Sequence, residues 1–190
     1  LIDSYRNSLF NTKNYDRHLK GIAVARAGNV IGGGDWSKDR LIPDIVRSLM
    51  NNKPVVIRNP NAVRPWQHAL EPLAGYLQLA QGLYQQGPVV GGPWNFGPAD
   101  SDMCSVGSVV ERMAARWPQA PGLRIQASEL HEAGLLRLDS SRAHQLLGWQ
   151  PRWSLEQCLQ HTLDWHLAWQ RGDDLQAKTL QQLADYWSAL

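Results

Sequence analysis

The sequence predicts an α/β fold with a mostly parallel sheet, and three observations carry that prediction. Short apolar runs alternate with segments of helical periodicity, the pattern of βαβ units. The first such run, Ile22-Ala23-Val24-Ala25, is continuous, which suits a strand buried on both faces as in parallel sheets. The composition is ordinary for a globular chain, with 43% hydrophobic and 19% charged residues among 190. At about 100–200 residues per domain, this length holds one domain, or one and a piece.

Taken in order, Leu1, Ile2, Tyr5, Leu9 and Phe10 recur at helical spacing, with Asp3, Arg6 and Asn7 on the other face. No N-cap residue precedes this helix. The expectation is a helix that begins upstream, and a chain that is the C-terminal part of a longer protein. The alternative is a true terminus capped by water. A polar stretch over 12–20 closes at Gly21 and leads into the first strand. Arg26 and Gly28-Asn29-Val30-Ile31 follow, then the triplet Gly32-Gly33-Gly34. A helix is predicted over about 43–52, since a proline near a helix start gives up no intrahelical hydrogen bond. Val55-Val56-Ile57 is a second strand candidate, and a loop rich in Pro, Asn and Arg runs on to Gln67.

The next helix, over about 71–85, carries Leu73, Leu77, Ala80 and Tyr84 on the face expected to pack. Residues 89–96 read as a strand interrupted by Gly91-Gly92-Pro93. A helix over 106–117 has Ser105 as its N-cap, and 123–127 is strand-like. A short helix over 140–147 is closed by Gly148. A long helix follows Pro151 and runs to about 171, with Ser154 and Gln157 at capping-box spacing. A last helix spans about 175–187.

Several classes are excluded or disfavoured. The 19 Lys and Arg against 17 Asp and Glu leave a formal charge of +2, little reason to expect nucleic acid. No run of about 18 apolar residues is present to span a membrane as a helix. Cys104 and Cys158 have neither a disulfide-framework nor a metal spacing. They are expected in the core of a protein from a reducing compartment. His161 and His166 are five apart on the long helix and do not share a face as zinc ligands would, so no metal site is predicted. Most of the nine tryptophans are expected in the core, some against a ligand. Trp165 and Trp169 read as a core stripe with Leu155 and Cys158.

Ligands of open α/β sheets bind beyond the carboxyl ends of the strands. One strand here leads to Arg26, Asn29 and the glycine triplet. Another ends in Asn95-Phe96-Gly97-Pro98. Asparagine can donate to a phosphate or sugar hydroxyl, and glycine lets a ligand approach the backbone. The same residues also suit plain turns. Arg40, Arg58 and Arg64 lie around these segments and offer planar forks for phosphate, although each alone also suits a solvated surface. The dense cluster Arg64-Pro65-Trp66-Gln67-His68 argues more strongly for function. No Gly-x-Gly-x-x-Gly, P-loop, Gly-x-Ser-x-Gly or Tyr-x-x-x-Lys pattern occurs. The residues thus describe a binding half without a catalytic half.

Arg26-Ala27-Gly28-Asn29-Val30-Ile31-Gly32-Gly33-Gly34-Asp35-Trp36 resembles the segment after the last catalytic helix of extended short-chain dehydrogenase/reductases that act on nucleotide sugars. Arg40-Leu41-Ile42-Pro43, Arg64-Pro65-Trp66-Gln67-His68 and Trp94-Asn95-Phe96-Gly97-Pro98 follow in that family's order. His131-Glu132-Ala133, Leu138-Asp139-Ser140-Ser141-Arg142-Ala143 and Leu147-Gly148-Trp149-Gln150-Pro151 continue it. The Gly-Gly-Gly-Asp-Trp and Arg-Pro-Trp-Gln-His wording resembles the branch acting on CDP-glucose. Relatives acting on dTDP-glucose usually read Asn-Asn-Tyr-Gly-Pro at the first site.

The resemblance implies a lyase that uses NAD on a Rossmann sheet and binds the nucleotide sugar in a smaller α/β domain. Hydride leaves sugar C4, water is lost across C5–C6, and the hydride returns at C6. The product implied is CDP-4-dehydro-6-deoxy-glucose, as in deoxysugar and O-antigen lipopolysaccharide biosynthesis, in the cytoplasm. Residues 1–35 would end the Rossmann domain and 36–190 would mostly bind the nucleotide sugar, with a segment around 66–96 returning to the sheet. By position, Asn29 resembles a sugar-nucleotide contact and Val30 its neighbour beside the nicotinamide. Arg40 and Leu41 resemble contacts near the diphosphate and nucleoside, and Pro54, Val55 and Val56 the segment beside the base. Arg64 resembles the diphosphate arginine and Asn95 a nucleotide contact. His131 and Glu132 fall in the last substrate loop. The family's NAD loop and Tyr-x-x-x-Lys pair would lie upstream, so no catalytic residue is assigned here and the chain alone is expected to be inactive. The opening helix resembles one that helps build a homodimer in that family. Two rivals are another nucleotide-sugar epimerase or dehydratase, and a non-catalytic nucleotide-sugar-binding or interaction module.

Overall fold

The computed structural model describes residues 1–118, 120, 122–126 and 134–189. The α/β class expected from the sequence is the one observed. Helices α1 (Ile2–Ser8) and α2 (Tyr15–His18) precede strands β1 (Ala23–Ala27) and β2 (Asn29–Ile31). Helix α3 (Leu41–Met50) and strands β3 (Val55–Ile57), β4 (Val63–Arg64) and β5 (Trp66–His68) follow. Then come α4 (Leu70–Gln86), β6 (Gly92–Phe96), β7 (Cys104–Ser105), α5 (Val106–Ala115) and β8 (Leu123–Ile125). The chain closes with α6 (Ser141–Leu147), α7 (Leu155–Arg171) and α8 (Leu175–Ser188). Among the described residues the strands form four pairs. Three are parallel, β1 with β6, β2 with β5 and β3 with β8, and one, β4 with β7, is antiparallel.

The chain divides into two compact units. The first comprises Leu1–Ala27, Leu70–Gly97 and Leu138–Pro151. The second comprises Gly28–Ala69, Pro98–Arg137 and Arg152–Leu190. The first break between the units falls between residues 27 and 28, and 138–151 belongs to the first unit. Glycine at 28 is in tight quarters, since a Cβ there would lie 2.5 Å from the Pro65 carbonyl oxygen.

In the first unit, Leu79, Val90, Trp94, Phe96, Ala143 and Trp149 form the core. Phe96 meets Trp149 edge-on, with ring centroids 5.1 Å apart. The Arg142 guanidinium lies 4.0 Å over the Trp94 ring and donates to the carbonyls of Pro93 (2.8 Å) and Gly91 (2.9 Å). Helix α4 corrects an expectation. Its face with Leu73, Leu77, Ala80 and Tyr84 points outward, and Tyr84 is 92% exposed. The buried face is Glu71, Pro72, Ala74, Gly75, Leu79 and Gly82. The physical reason is close approach. A Cβ on Gly75 would lie 2.3 Å from Phe96 Cδ1, so only small residues let α4 come down on β6. Likewise β1 is only partly covered, with Ala25 and Arg26 exposed, because among the described residues it pairs with β6 alone.

In the second unit, Ile42, Ile45, Val46 and Leu49 of α3 are buried, as are Leu155, Cys158, Leu159 and Leu163 of α7. Cys104 and Cys158 are buried, as expected. The Ser154–Gln157 capping box and the Ser105 cap are both formed. Two local expectations are corrected. The stretch before Gln67 contains β4 and β5, because Val63 and Trp66–His68 find backbone partners in β7 and β2. Residues 89–90 belong to a 3-10 turn, Gly87–Val90, which the positive φ of Gly87 starts. Trp169 leaves the expected core stripe and is 46% exposed against Trp36, with ring centroids 4.8 Å apart. No helix among the described residues is long and apolar enough to cross a membrane.

Candidate functional site

The second unit holds a cavity of about 590 Å³. Its construction begins with β2 and β5. Their register sets Asn29 beside Trp66, fixed by the Asn29 N–H donating to the Pro65 carbonyl at 2.8 Å. Two residues before Trp66 stands Arg64, 7% exposed and paired across β4–β7 with Cys104. The Trp66 indole N–H donates to the Cys104 carbonyl at 3.2 Å. Asn29, Arg64 and Trp66 therefore reach the cavity from one braced sheet region.

Helix α3 forms another wall. Leu41, Asp44, Ile45 and Ser48 line the cavity. They are spaced i, i+3, i+4, i+7, one stripe of the helix. Arg40 lines it at the helix N-terminus, where the first backbone N–H groups have no intrahelical acceptor. Arg47 ties the preceding loop to α3. It donates to the carbonyls of Trp36 (2.9 Å) and Ser37 (3.0 Å) and forms an ion pair with Asp44. A further wall is β3, where Val56 is 46% exposed and Val55 buried. Gln126 joins it, its N–H donating to the Ile57 carbonyl at 2.8 Å. Arg58, Asn59 and Val106 complete the lining.

A second cavity of about 470 Å³ shares Asn29, Arg40, Leu41 and Trp66 with the first. It adds Gly28, Val30, Gly32 and Asp35. Val30 is 44% exposed, an apolar surface beside this space. The Ser37 N–H on the Asp35 carboxylate, at 2.9 Å, lowers the Asp35 pKa below its ordinary value.

Of the residues singled out in the sequence, Asn29, Arg40, Leu41, Val55, Val56 and Arg64 are brought together around the first cavity, and Val30 lines the second. Pro54 is exposed and lines neither. Asn95 lies in the first unit, where its amide donates to the Asp139 carbonyl at 2.9 Å. His131 and Glu132 lie outside the described residues.

The Arg64–His68 cluster divides. Arg64 and Trp66 face the cavity, whereas His68 is core, with its ring centroid 5.0 Å from that of Trp153. Burial, reinforced by nearby His161, pushes the His68 pKa down to about 4. The glycine triplet divides too. Gly32 lines the second cavity, but a Cβ on Gly33 would lie 2.1 Å from Trp165 Cγ, so that glycine serves packing. Asp44, Ile45 and Ser48 escaped the sequence reading, though helical spacing from Leu41 marks them. Val106 and Gln126 arrive through tertiary packing and leave no local signal.

The arrangement suits an elongated anionic ligand with a flat end. Arg40, Arg58 and Arg64 offer guanidinium forks to phosphate. Val56 and Leu41 offer apolar surface to a ring, backed by the buried Val55 and Ile45.

No family model matches the chain. Over 187 residues, 98% of its length, it is 50% identical to CDP-glucose 4,6-dehydratase of Salmonella typhimurium (strain LT2). It covers 52% of that protein, so the chain spans about half the length of the curated relative it matches. Among solved structures it resembles UDP-glucose-4-epimerase from Stenotrophomonas maltophila, solved with NAD and formylated UDP-arabinopyranose. The TM-score is 0.70 at 20% identity, over 80% of this chain and 49% of that one. It also resembles dTDP-glucose 4,6-dehydratase from Bacillus anthracis in complex with NAD. There the TM-score is 0.60 at 18% identity, over 83% of this chain and 48% of that one. The chain thus has the fold of about half of a sugar-nucleotide epimerase or dehydratase, and over that half its sequence is similar to a CDP-glucose 4,6-dehydratase.

Proposed function

We propose that the chain is the substrate-binding part of an NAD-dependent CDP-glucose 4,6-dehydratase, a lyase that makes CDP-4-dehydro-6-deoxy-glucose. The observation that carries this reading is the first cavity. It sets three arginines and Asn29 against an apolar wall, in a chain 50% identical to such a dehydratase. Arg64, Arg40 and Arg58 hold the diphosphate, with the unpaired N–H groups at the start of α3 adding partial positive charge. Val56 and Leu41 flank the base, with Val55 packed behind them. Asn29 stands where both cavities meet and orients the sugar.

NAD fits only as a neighbour of these residues. Val30 presents an apolar surface to the second cavity and would wall one face of the nicotinamide. The chemistry NAD supplies when bound is hydride removal from the sugar and its return. This chain's residues bind and orient the substrate and exclude water from it. In this reading the cofactor loop and the catalytic base would lie in a complementary part outside this chain. We propose that turnover requires that part, in a homodimeric cytoplasmic enzyme of deoxysugar biosynthesis.

The test is calorimetric titration of this chain with CDP-glucose, beside dTDP-glucose and NAD. The expected result is binding that prefers CDP-glucose, shows no response to NAD alone and weakens by about 30-fold or more in Arg64→Ala. A folded chain, verified by circular dichroism, that binds none of the three would overturn the reading. So would full dehydratase turnover by this chain alone.

A further inference from the structure

The walls of the first cavity differ in what they offer a nucleobase. The β3 wall presents Val56, with Val55 buried behind it. Such side chains cover the faces of a flat ring but cannot tell one pyrimidine from another. Discrimination needs a polar group aimed at the ring edge. Among the lining residues beside this apolar wall, Ser48, Asn59 and Gln126 are ambivalent. A hydroxyl donates or accepts, and a carboxamide can turn over to present either end. Asp44 is different. An ionised carboxylate only accepts.

Asp44 is also held. It shares the cavity-lining stripe of α3 with Ile45 and Ser48, and its Oδ1 pairs with Arg47 one turn on. Arg47 is itself anchored on the carbonyls of Trp36 and Ser37. The clamp limits the rotation of the carboxylate. Its second oxygen, Oδ2, has no partner among the described residues. The other carboxylate on the lining, Asp39, adjoins Arg40 in a turn of positive φ, outside the helix.

We propose that Asp44 selects the base of the bound nucleotide, accepting a hydrogen bond from the exocyclic amine of a cytosine. Uracil and thymine carry a carbonyl oxygen where cytosine carries that amine, and a carboxylate repels it. Carboxylate acceptance from the cytosine amine is an established mode of base discrimination in nucleic acids. The inference rests on the nucleotide-sugar reading of this cavity and adds the residue that sets base preference.

The experiment measures the affinities of CDP and UDP for wild type, Asp44→Asn and Arg47→Met by calorimetry, with thermal melts to verify folding. Wild type is expected to prefer CDP by about tenfold or more, the scale of one well-placed base contact. Asp44→Asn replaces an acceptor-only group with one that can present either end, so the CDP-to-UDP ratio should fall to within about threefold. Arg47→Met retains the carboxylate, so both affinities should weaken while CDP stays preferred. Three results overturn the inference and leave the site reading standing. They are equal binding of CDP and UDP by wild type, an unchanged ratio in Asp44→Asn, and loss of the preference in folded Arg47→Met. An unchanged ratio with both affinities lowered would place Asp44 on the ribose. Failure of folded wild type to bind either nucleotide would overturn the site reading itself, and this inference with it.

Discussion

The two units place apolar surface differently, although α8 of the second unit also carries an exposed stripe, Leu180, Leu183 and Trp187. In the second unit, some exposed apolar side chains sit where a ligand would meet them, Val30 and Val56 among them. In the first unit they form stripes on helices. Leu73, Leu77 and Tyr84 lie along α4, and Ile2, Tyr5 and Leu9 along and just past α1. The difference teaches where each unit's work lies. The second unit builds a lined cavity from polar groups against a short apolar wall. The first packs a small aromatic core beneath a two-stranded parallel pair and turns its larger apolar stripes outward, a surface suited to association rather than to a small ligand.

Four perturbations break or sharpen this contrast. The largest effect is expected from Trp149→Ala. It removes the indole that meets Phe96 and donates to the Glu71 carbonyl, and should cost about 3–5 kcal/mol in denaturant unfolding. If the units differ as argued, the nucleotide affinity of the folded fraction stays within about twofold of wild type.

Next comes acid. Folded His68 titrates near 4, against an ordinary value of 6.5. The stability tied to its neutral form is therefore complete above about pH 6.5 and is lost as pH falls toward 4. The loss should reach roughly 3 kcal/mol, read from unfolding curves at several pH values. His68→Gln should flatten that slope.

Third, Gly33→Ala and Gly75→Ala place a methyl against Trp165 and Phe96 respectively. Each should cost about 1–3 kcal/mol. Gly33→Ala, near the second cavity, should also disturb nucleotide binding, while Gly75→Ala should not. The smallest effect on stability belongs to Leu73→Gln with Leu77→Gln on α4, about 0.5 kcal/mol or less. The same pair should reduce self-association in sedimentation velocity, because it removes an exposed apolar stripe.

Much of the fold was legible in the sequence because periodicity and caps are local. Ser105, Ser154 with Gln157, and Gly148 mark helix ends that the structure confirms. The buried face of α4 was not legible. Hydrophobicity favours the large Leu73 and Leu77, whereas a helix descending on Phe96 needs Ala74, Gly75 and Gly82. Strands β4 and β5 were missed because two- and three-residue strands have no period of their own and exist only through their partners. The lining of the candidate site was legible where a motif carried it, at Asn29, Arg40 and Arg64. It was invisible at Gln126 and Val106, which distant parts of the chain deliver. At Asp44 the signal was present, one helical turn beyond Leu41.

The cavity of the second unit is proposed to take the nucleotide sugar. Hydrogen exchange read by mass spectrometry, with and without CDP-glucose, tests it most directly. Peptides over 38–48, 54–59 and 64–67 should slow on addition of ligand, while those over 70–86 should not change. Slowing confined to 70–97, or no slowing anywhere at saturating ligand, would contradict it.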